Sequence, residues 1–379
     1  MTPTLRRRCP GASVRPLSEG CDSIGGMTGQ ELTEARRTKS ELGAFARELA
    51  ERYGAVTPSA VAPEGTVDAA TPSDLVRAPT LSLGLAPADG GGYTVAVRYR
   101  LGLPAARAVV KRVAAEAGAG ADVRRTGRIR TQSDVRPRPP VVSARALGET
   151  TRTRPLRPGV SIAHVDVTAG TLGAFVVARE ASSEAAQERH ALSNWHVLVG
   201  SPEAGAGDVV VQPGPADGGR DPRDRVGTLA RWAPMNPGEH HLVDAAIALL
   251  DDGIDVDPTY PVGRVTTTAQ ALGGEAVAKV GRTTSLTRGR VSAIELDDVL
   301  VGYGDDLGVL GFDGQIEIES TGDEPFSRGG DSGSLVYRED GVAIGLLFAG
   351  SETGGPGGHG LTYANPIDTV LTTLNATLT

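Results

Sequence analysis

The chain has 379 residues, of which 51 are glycine and only 4% are aromatic, with a formal net charge of −8 at pH 7. This length allows two or three domains with well-buried cores, and abundant glycine favours a turn-rich β protein. No apolar stretch approaches the ~18 residues of a membrane-spanning helix, so we expect no membrane partner. Because both cysteines, Cys9 and Cys21, lie in the leader and no signal peptide is recognisable, the sequence indicates the cytoplasm.

The charge is unevenly distributed along the chain. Residues 121–158 contain ten arginines against three acidic residues, whereas residues 159–379 contain 13 basic and 31 acidic residues. Such a split can mark an arm that binds nucleic acid. However, no aromatic residue stands among the arginines and no nucleic-acid motif accompanies them. We therefore interpret the basic segment as a linker lying against an acidic domain, without a nucleic-acid partner.

The first predicted element is a helix over residues 28–53, which Gly54 ends. Its apolar positions are Leu32, Leu42, Phe45 and Leu49. A Pro/Ala-rich linker follows at 55–80, so residues 1–80 form a leader, a helix and a linker. Because the apolar stripe can pair with a second copy, it suggests a homo-oligomer formed through the N-terminal region.

The next elements predict a small α+β module over residues 81–135. They are a strand at 93–100, a helix at 105–118 and a strand at 121–132. An Arg/Pro-rich linker follows at 136–158. None of these segments carries residues with catalytic spacing, so we expect them to assemble, target or regulate the protein.

The pattern of predicted secondary structure changes at residue 159. Short β-like runs recur between turn residues, with no helix between them, which is typical of a barrel or sandwich. A final helix is predicted over 367–379, where apolar residues return at helical spacing. The region 159–379 is long enough for a single catalytic unit.

The stretch "SRGGDSGSLVY" at 327–337 is the strongest local motif. Gly330 and Gly333 bracket Ser332 and allow the backbone to turn sharply. The amides of Gly330 and Ser332 can then point to one spot beside the Ser332 hydroxyl. Two such donors could stabilise the oxyanion of an acyl-transfer intermediate.

A serine hydroxyl needs an adjacent base to act as a nucleophile. His196 in "ALSNWHVLVG" ends a strand-like run where a loop can present it, although a lone histidine on a strand is usually structural. Asp244 in "HLVDAAIALL" lies between apolar runs, where an unpaired carboxylate is costly, and could fix the tautomer of the imidazole. His240 and His241 are adjacent on a strand, so at most one of them faces inward.

The ordered set His196, Asp244 and Ser332, within "SNWHV", "VDAAIALL" and "GGDSGSL", resembles the chymotrypsin-like (trypsin-fold) serine peptidases. "VGRTTSLTRGRVSAIE" and "GGDSGSLVYREDGVAIGLLFAG" are similar to segments of bacterial members such as the streptogrisins. "QPGPADGGR" and "AGTLGAFV" resemble a bacterial and plant group that includes the rice narrow-leaf protein. The resemblance covers about residues 158–379.

This resemblance implies a mainly β protein with two six-stranded barrels and a C-terminal helix, preceded by the small helical and α+β N-terminal region. Barrel one would span 159–262, barrel two 263–366, and the site would lie between them. The implied activity is a serine endopeptidase that acts on protein or peptide substrates through an acyl-enzyme. His196 would be the base and then the acid, Asp244 would orient it, and the Gly330 and Ser332 amides would form the oxyanion hole. No cofactor or metal is implied.

The resemblance also implies a substrate pocket. Its residues would be Phe326, Phe348, Ala349, Gly350 and Gly360. Because none is acidic, we expect an uncharged residue at the cleaved bond. No new N-terminus of the family type appears near residue 160, so Asp331 needs a partner other than a freed α-amine.

Two other functions remain open at this point. The chain could be a trypsin-fold binding or scaffold protein with little or no proteolysis, or an esterase that uses the same site. The basic segment could also dock on the acidic peptidase and cover its cleft. That hypothesis predicts higher activity once residues 1–155 are removed, with salt-sensitive docking.

Overall fold

The computed structural model describes residues 29–52, 80–100, 104–131, 146–179 and 188–379. The predicted leader, nearly all of the first linker and residues 136–145 of the second lie outside these ranges. The helices are α1 Gly29–Arg52, α2 Pro104–Glu116, α3 Trp195–Leu198, α4 Gly304–Leu307 and α5 Ile367–Thr373. None of the helices in the described ranges is both long and apolar enough to cross a membrane.

The strands of the N-terminal region are β1 Thr80–Pro87, β2 Tyr93–Arg100, β3 Asp122–Arg125 and β4 Ile129–Thr131. Those up to residue 250 are β5 Ser161–His164, β6 Gly170–Thr171, β7 Ala174–Ala178, β8 Arg189–Ser193, β9 Val209–Val211, β10 Arg225–Trp232, β11 His240–His241 and β12 Ala246–Leu250. The remainder are β13 Thr259–Tyr260, β14 Gly263–Arg264, β15 Thr267–Thr268, β16 Ala276–Gly281, β17 Ser285–Asp297, β18 Val299–Gly302, β19 Val309–Phe312, β20 Gln315–Ser320, β21 Leu335–Arg338, β22 Val342–Ser351, β23 Thr362–Pro366 and β24 Ala376–Leu378.

The first barrel is a curved antiparallel sheet in the order β7–β8–β12–β10–β9–β5. β6, which directly precedes β7 in the chain, pairs with β5 at the other end of the order, so the sheet curves into a half-barrel. Side chains from several strands fill its interior, among them Phe175, Leu229 and Ala248, each at most 2% exposed. The pairing of β12 with β8 brings the segments before β12 and after β8 side by side.

The second barrel is a closed ring of six antiparallel strands. β16 pairs with β17, β17 with β20, β20 with β23, β23 with β22, β22 with β21, and β21 with β16. Its core holds Val291, Ile318 and Leu347, which are 0% exposed. The strand pairing confirms the predicted mainly β fold with two barrels of the chymotrypsin type and a C-terminal helix.

The N-terminal elements form a layer whose sheet continues into the second barrel. β1 pairs with β2 and also with β17, so the sheets share hydrogen bonds. Helices α1 and α2 pack against the sheet through Leu42, Leu49 and Val113. The apolar stripe that suggested self-association is therefore buried within the chain, and homo-oligomerisation remains a prediction without that surface to support it.

Several predicted elements end at other residues in the structure. The strand expected at 121–132 is two strands, because the chain turns at Thr126, whose amide donates to the Tyr99 carbonyl at 2.9 Å. The C-terminal helix ends at Thr373 rather than Thr379. Asn375 adopts a positive φ of 48°, and the chain then forms β24, which pairs with β7.

Candidate active site

His196 lies on the one-turn helix α3 and not at the end of a strand as predicted. Asn194, extended at φ −78° and ψ 160°, precedes this turn. Its carbonyl accepts hydrogen bonds from the amides of Val197 at 3.2 Å and Leu198 at 3.0 Å. The strand prediction was wrong because an apolar run of four residues suits a buried helical turn as well as a strand.

Asp244 lies directly beside His196, because β12 and β8 are paired. The imidazole Nδ1 of His196 contacts Asp244 Oδ2, and the His196 amide donates to Oδ1 at 3.2 Å. The Asn194 side chain donates to the Asp244 carbonyl at 2.7 Å, and the Asp244 amide donates to Asn365 Oδ1 at 3.0 Å. His196 and Asp244 are 0% exposed, so the pair is held in a dry, hydrogen-bonded setting.

Ser332 lies in the loop between β20 and β21, at a sharp turn. Gly330 and Gly333 have φ values of +96° and +93°, which L side chains rarely adopt. The Ser332 hydroxyl donates to the Phe348 carbonyl at 3.4 Å, and Ser332 is 0% exposed. The two glycines are therefore required by the path of this loop.

The Ser332 loop packs directly against the first barrel. The Thr171 amide donates to the Ser332 carbonyl at 2.7 Å, and the Thr171 hydroxyl donates to the Gly330 carbonyl at 2.8 Å. A Cβ on Gly333 would lie 2.1 Å from Ser193 Oγ. Since Ser193 is three residues from His196, the loop that carries Ser332 meets the segment that carries His196.

Asp331 is paired with Lys279, the partner that the sequence left open. Lys279 Nζ lies 3.2 Å from Asp331 Oδ2, and both side chains are 0% exposed. The Thr284 hydroxyl also donates to Oδ2, at 2.6 Å, while the amides of Thr283 and Thr284 donate to Oδ1 at 2.9 and 3.1 Å. Burial lowers the pKa of Lys279, and the Asp331 charge opposes this shift. These bonds anchor the turn directly before Ser332.

Tyr303, between β18 and α4, reaches the site from the second barrel. Its hydroxyl donates to Asp244 Oδ2 at 2.6 Å, and its ring stands edge-on to His196 with centroids 5.9 Å apart. Sequence reasoning did not find Tyr303 or Lys279. A lysine within the apolar run "AVAKVG" was a usable sign of a buried charge pair, whereas nothing around Tyr303 in the sequence points to Asp244.

The predicted pocket residues lie on β22 and on the segments around residues 326 and 360. Phe348 and Ala349 lie on β22 in the apolar cluster that also holds side chains of the first barrel, and Gly350 follows them. The Phe326 ring packs in the core of the second barrel instead. Gly360, at a φ of +85°, donates its amide to the Gly354 carbonyl at 3.0 Å.

Strand β4 lies beside the site and pairs on both of its edges. It runs antiparallel to β22, with Arg130 opposite Gly350, and parallel to β18. Ile129 belongs to the same apolar cluster as Phe348, Ala349 and Tyr303. The N-terminal region therefore occupies the edge of β22 next to the Ser332 loop.

The two adjacent histidines face opposite ways, as expected for a strand. His241 is 7% exposed and its ring lies 5.6 Å from Phe312. His240 is exposed and its Nδ1 lies 2.8 Å from Asp313 Oδ2. His240, Asp298 and Asp313 form one group in the described ranges that could hold a metal ion. Their ligand atoms lie within 4.8 Å of one another. The group lies outside the site of Ser332.

The chain is similar to known proteins in structure. No protein-family model matches the chain, and no curated protein matches it. Solved structures similar to it are chymotrypsin-like serine proteases, as the sequence resemblance predicted.

Three of these structures illustrate how distant the similarity is. Thermobifida fusca protease A is 20% identical, with 59% of this chain and 98% of that chain covered and a TM-score of 0.40. A glutamic acid-specific serine protease with a histidine triad in substrate binding is 23% identical, covering 59% and 100%, with a TM-score of 0.41. Nocardiopsis protease is 19% identical, covering 59% and 99%, with a TM-score of 0.40. The fold assignment therefore rests on the strand pairing above.

Proposed function

We propose that this protein is a serine endopeptidase in which His196, Asp244 and Ser332 form the catalytic triad. The observation that carries the proposal is the fully buried contact between His196 Nδ1 and Asp244 Oδ2. A carboxylate in that position fixes the imidazole tautomer, leaves Nε2 to act as the base and stabilises the charged imidazolium. The close approach of Gly333 to Ser193, three residues before His196, supports including Ser332 in the same site.

The proposed reaction follows from these roles. Ser332 Oγ attacks the carbonyl carbon of the scissile peptide while its proton passes to His196 Nε2. The carbonyl oxygen becomes an oxyanion, which the amides of Gly330 and Ser332 stabilise. The C–N bond then breaks, and His196 gives its proton to the departing amine. A water molecule repeats the sequence on the acyl-enzyme, releases the acid and restores the serine.

We also propose that the enzyme prefers an uncharged residue at the cleaved bond. The Ser332 hydroxyl contacts β22 at Phe348, which is followed on this strand by Ala349 and Gly350. None of these three residues can pair with a basic side chain. A panel of fluorogenic peptides that differ only at the cleaved residue tests this preference. Fastest cleavage after a small or medium apolar residue supports it, and a strong preference for arginine or glutamate would exclude it.

The test of the function itself is hydrolysis of a labelled protein substrate by the full chain and its variants. Ser332→Ala and His196→Ala should each lower kcat by roughly 10⁴-fold or more, as loss of a triad member does elsewhere. His359→Ala, which changes an exposed histidine, is the matched control and should retain full activity. Hydrolysis that persists in Ser332→Ala would refute the proposal.

The complete burial of His196 and Ser332 favours the alternative that the protein is a binding or scaffold protein without proteolysis. That alternative predicts no hydrolysis of proteins, peptides or small esters, even when β4 is displaced. The esterase alternative predicts hydrolysis of small esters without cleavage of any peptide. The same set of variants therefore separates the three functions.

A further inference from the structure

Tyr303 brings a hydroxyl from the segment between β18 and α4 to the buried His196–Asp244 pair. It is 4% exposed and contributes a hydroxyl, 2.6 Å from Asp244 Oδ2, to a pair that belongs to the first barrel. The same oxygen contacts His196 Nδ1, while Oδ1 accepts the His196 amide. Tyr303 thus donates to this carboxylate from outside the His196 segment.

The hydroxyl of Tyr303 stays protonated and therefore acts as a donor. Burial, and then the neighbouring Asp244 carboxylate, raises its pKa well above the usual range. A hydrogen bond to a charged acceptor is roughly twice as strong as a neutral one. Such a bond restricts rotation of the carboxylate, whose side-chain oxygens also contact His196.

The ring of Tyr303 connects the Asp244–His196 pair to the strand beside Ser332. It stacks on Phe312 with centroids 5.8 Å apart, and Phe312 lies 4.8 Å from Phe348. The Phe348 carbonyl accepts from the Ser332 hydroxyl. A row of packed rings thus links both halves of the site and determines where the Tyr303 hydroxyl lies.

We propose that Tyr303 is a positioning residue that fixes Asp244, and through it His196, for the activation of Ser332. The inference rests on the proposed triad and adds a fourth member from the second barrel. A role limited to packing would need only the ring of Tyr303. The hydroxyl and the ring can be separated experimentally, because phenylalanine retains the ring.

The experiment compares Tyr303→Phe with the native full chain, using the second-order rate at which a small fluorophosphonate modifies Ser332. The expected result is a fall of roughly tenfold, in line with the loss of one bond to a charged group. Tyr260→Phe is the matched control, since its buried hydroxyl donates to the Gly173 carbonyl at 2.6 Å. It should leave the rate within twofold of the native value.

A double-mutant cycle distinguishes positioning from packing. If the hydroxyl acts through Asp244, Tyr303→Phe should cost nothing further in an Asp244→Asn background. The proton resonance of the His196–Asp244 hydrogen bond should also move in Tyr303→Phe and stay in place in Tyr260→Phe. A full tenfold loss in the Asp244→Asn background would overturn the inference.

The outcomes also separate this inference from the proposed function. If the native chain does not react at Ser332, the proposed function fails and the inference with it. If the native chain reacts and Tyr303→Phe reacts at the same rate, only the role of Tyr303 is refuted.

Discussion

At the scale of single residues, the site depends on buried polar groups whose partners come from distant strands. Lys279 on β16 is paired with Asp331, and Tyr303 after β18 is paired with Asp244. Removing one member of a buried ion pair leaves an uncompensated charge, which costs far more than losing an exposed pair. A substitution of Lys279 therefore tests how strongly the Ser332 loop depends on the Lys279–Asp331 pair.

Replacing Lys279 by methionine should destabilise the protein by about 3–5 kcal/mol, because Asp331 would lose its buried counter-charge. The free energy of unfolding in urea measures this loss. The rate of Ser332 modification should also fall, since the turn before the serine loses its anchor. Arg338→Met is the matched control, because it breaks a partly exposed pair with Asp340 and should cost at most about 1 kcal/mol. Equal costs in the two variants would contradict this account.

The sequence predicted His196, Asp244 and Ser332 because each stands in a short and distinctive context. The structure brings the first two into direct contact and the third against the neighbouring segment. Lys279 and Tyr303 could not be assigned, since their partners are 52 and 59 positions away. Such contacts depend on strand register, which local patterns do not determine.

At the scale of elements, β4 is the strand whose position matters most for the site. It pairs with β22 beside Phe348 and with β18 directly before Tyr303. Extended segments that add to a sheet edge are a common mode of peptide recognition. β4 thus takes up an edge that an extended peptide substrate could otherwise use.

Ile129→Asp should raise the rate of Ser332 modification. The side chain is 9% exposed and belongs to the same apolar cluster as Phe348 and Tyr303, and a carboxylate there would expel β4 from the sheet. Val123→Asp is the matched control, because it makes the same change at an exposed position of β3. We expect an increase of tenfold or more for Ile129→Asp (about 1.4 kcal/mol) and none for Val123→Asp. Equal rates in native protein and Ile129→Asp would show that β4 does not restrict the site.

Local sequence patterns were sufficient to predict some of the strands but not the short helix α3 or the contacts of β4. The predicted strand at 93–100 has those bounds in the structure, because alternation and β-branched residues agree there. α3 was missed because its four residues are too few to show a helical period. The contacts of β4 with β18 and β22 lie beyond any local pattern, since they join segments separated by well over a hundred positions.

At the scale of the whole molecule, the uneven charge of the sequence becomes a set of ion pairs between the N-terminal layer and the second barrel. Arg98 forms two bonds of 2.7 Å to Glu317, which is 0% exposed. Arg124 donates to Glu319 at 2.6 Å. The expectation that basic residues lie against the acidic domain is thus met at Arg124, within the basic segment, and also at Arg98, upstream of it.

These contacts make stability depend on acid pH. Burial alone would raise the pKa of Glu319, but Arg290 and Arg124 outweigh it and lower the pKa. A carboxyl group whose pKa is lowered by folding stabilises the protein at pH values above its unfolded pKa, near 4.3. This stabilisation is lost as the pH falls through the pKa of the folded state. Glu319→Gln should therefore be less stable than the native chain at pH 7, with the difference shrinking below about pH 4.

Urea unfolding at pH 7, 5 and 3 measures this difference. Glu324→Gln changes a carboxylate that is 79% exposed and should leave the free energy of unfolding nearly unchanged at each pH. A destabilisation by Glu319→Gln that stays constant from pH 7 to pH 3 would contradict the account of these ion pairs.

The central claim is that Ser332 is a nucleophile activated by His196. The most direct test is to incubate the full chain with a small fluorophosphonate and to identify the modified residue by peptide mass mapping. We predict a single modified residue, Ser332, with a rate that falls by roughly 10³-fold or more in His196→Ala. Folded protein that remains unmodified, or that is modified equally fast in His196→Ala, would contradict the claim.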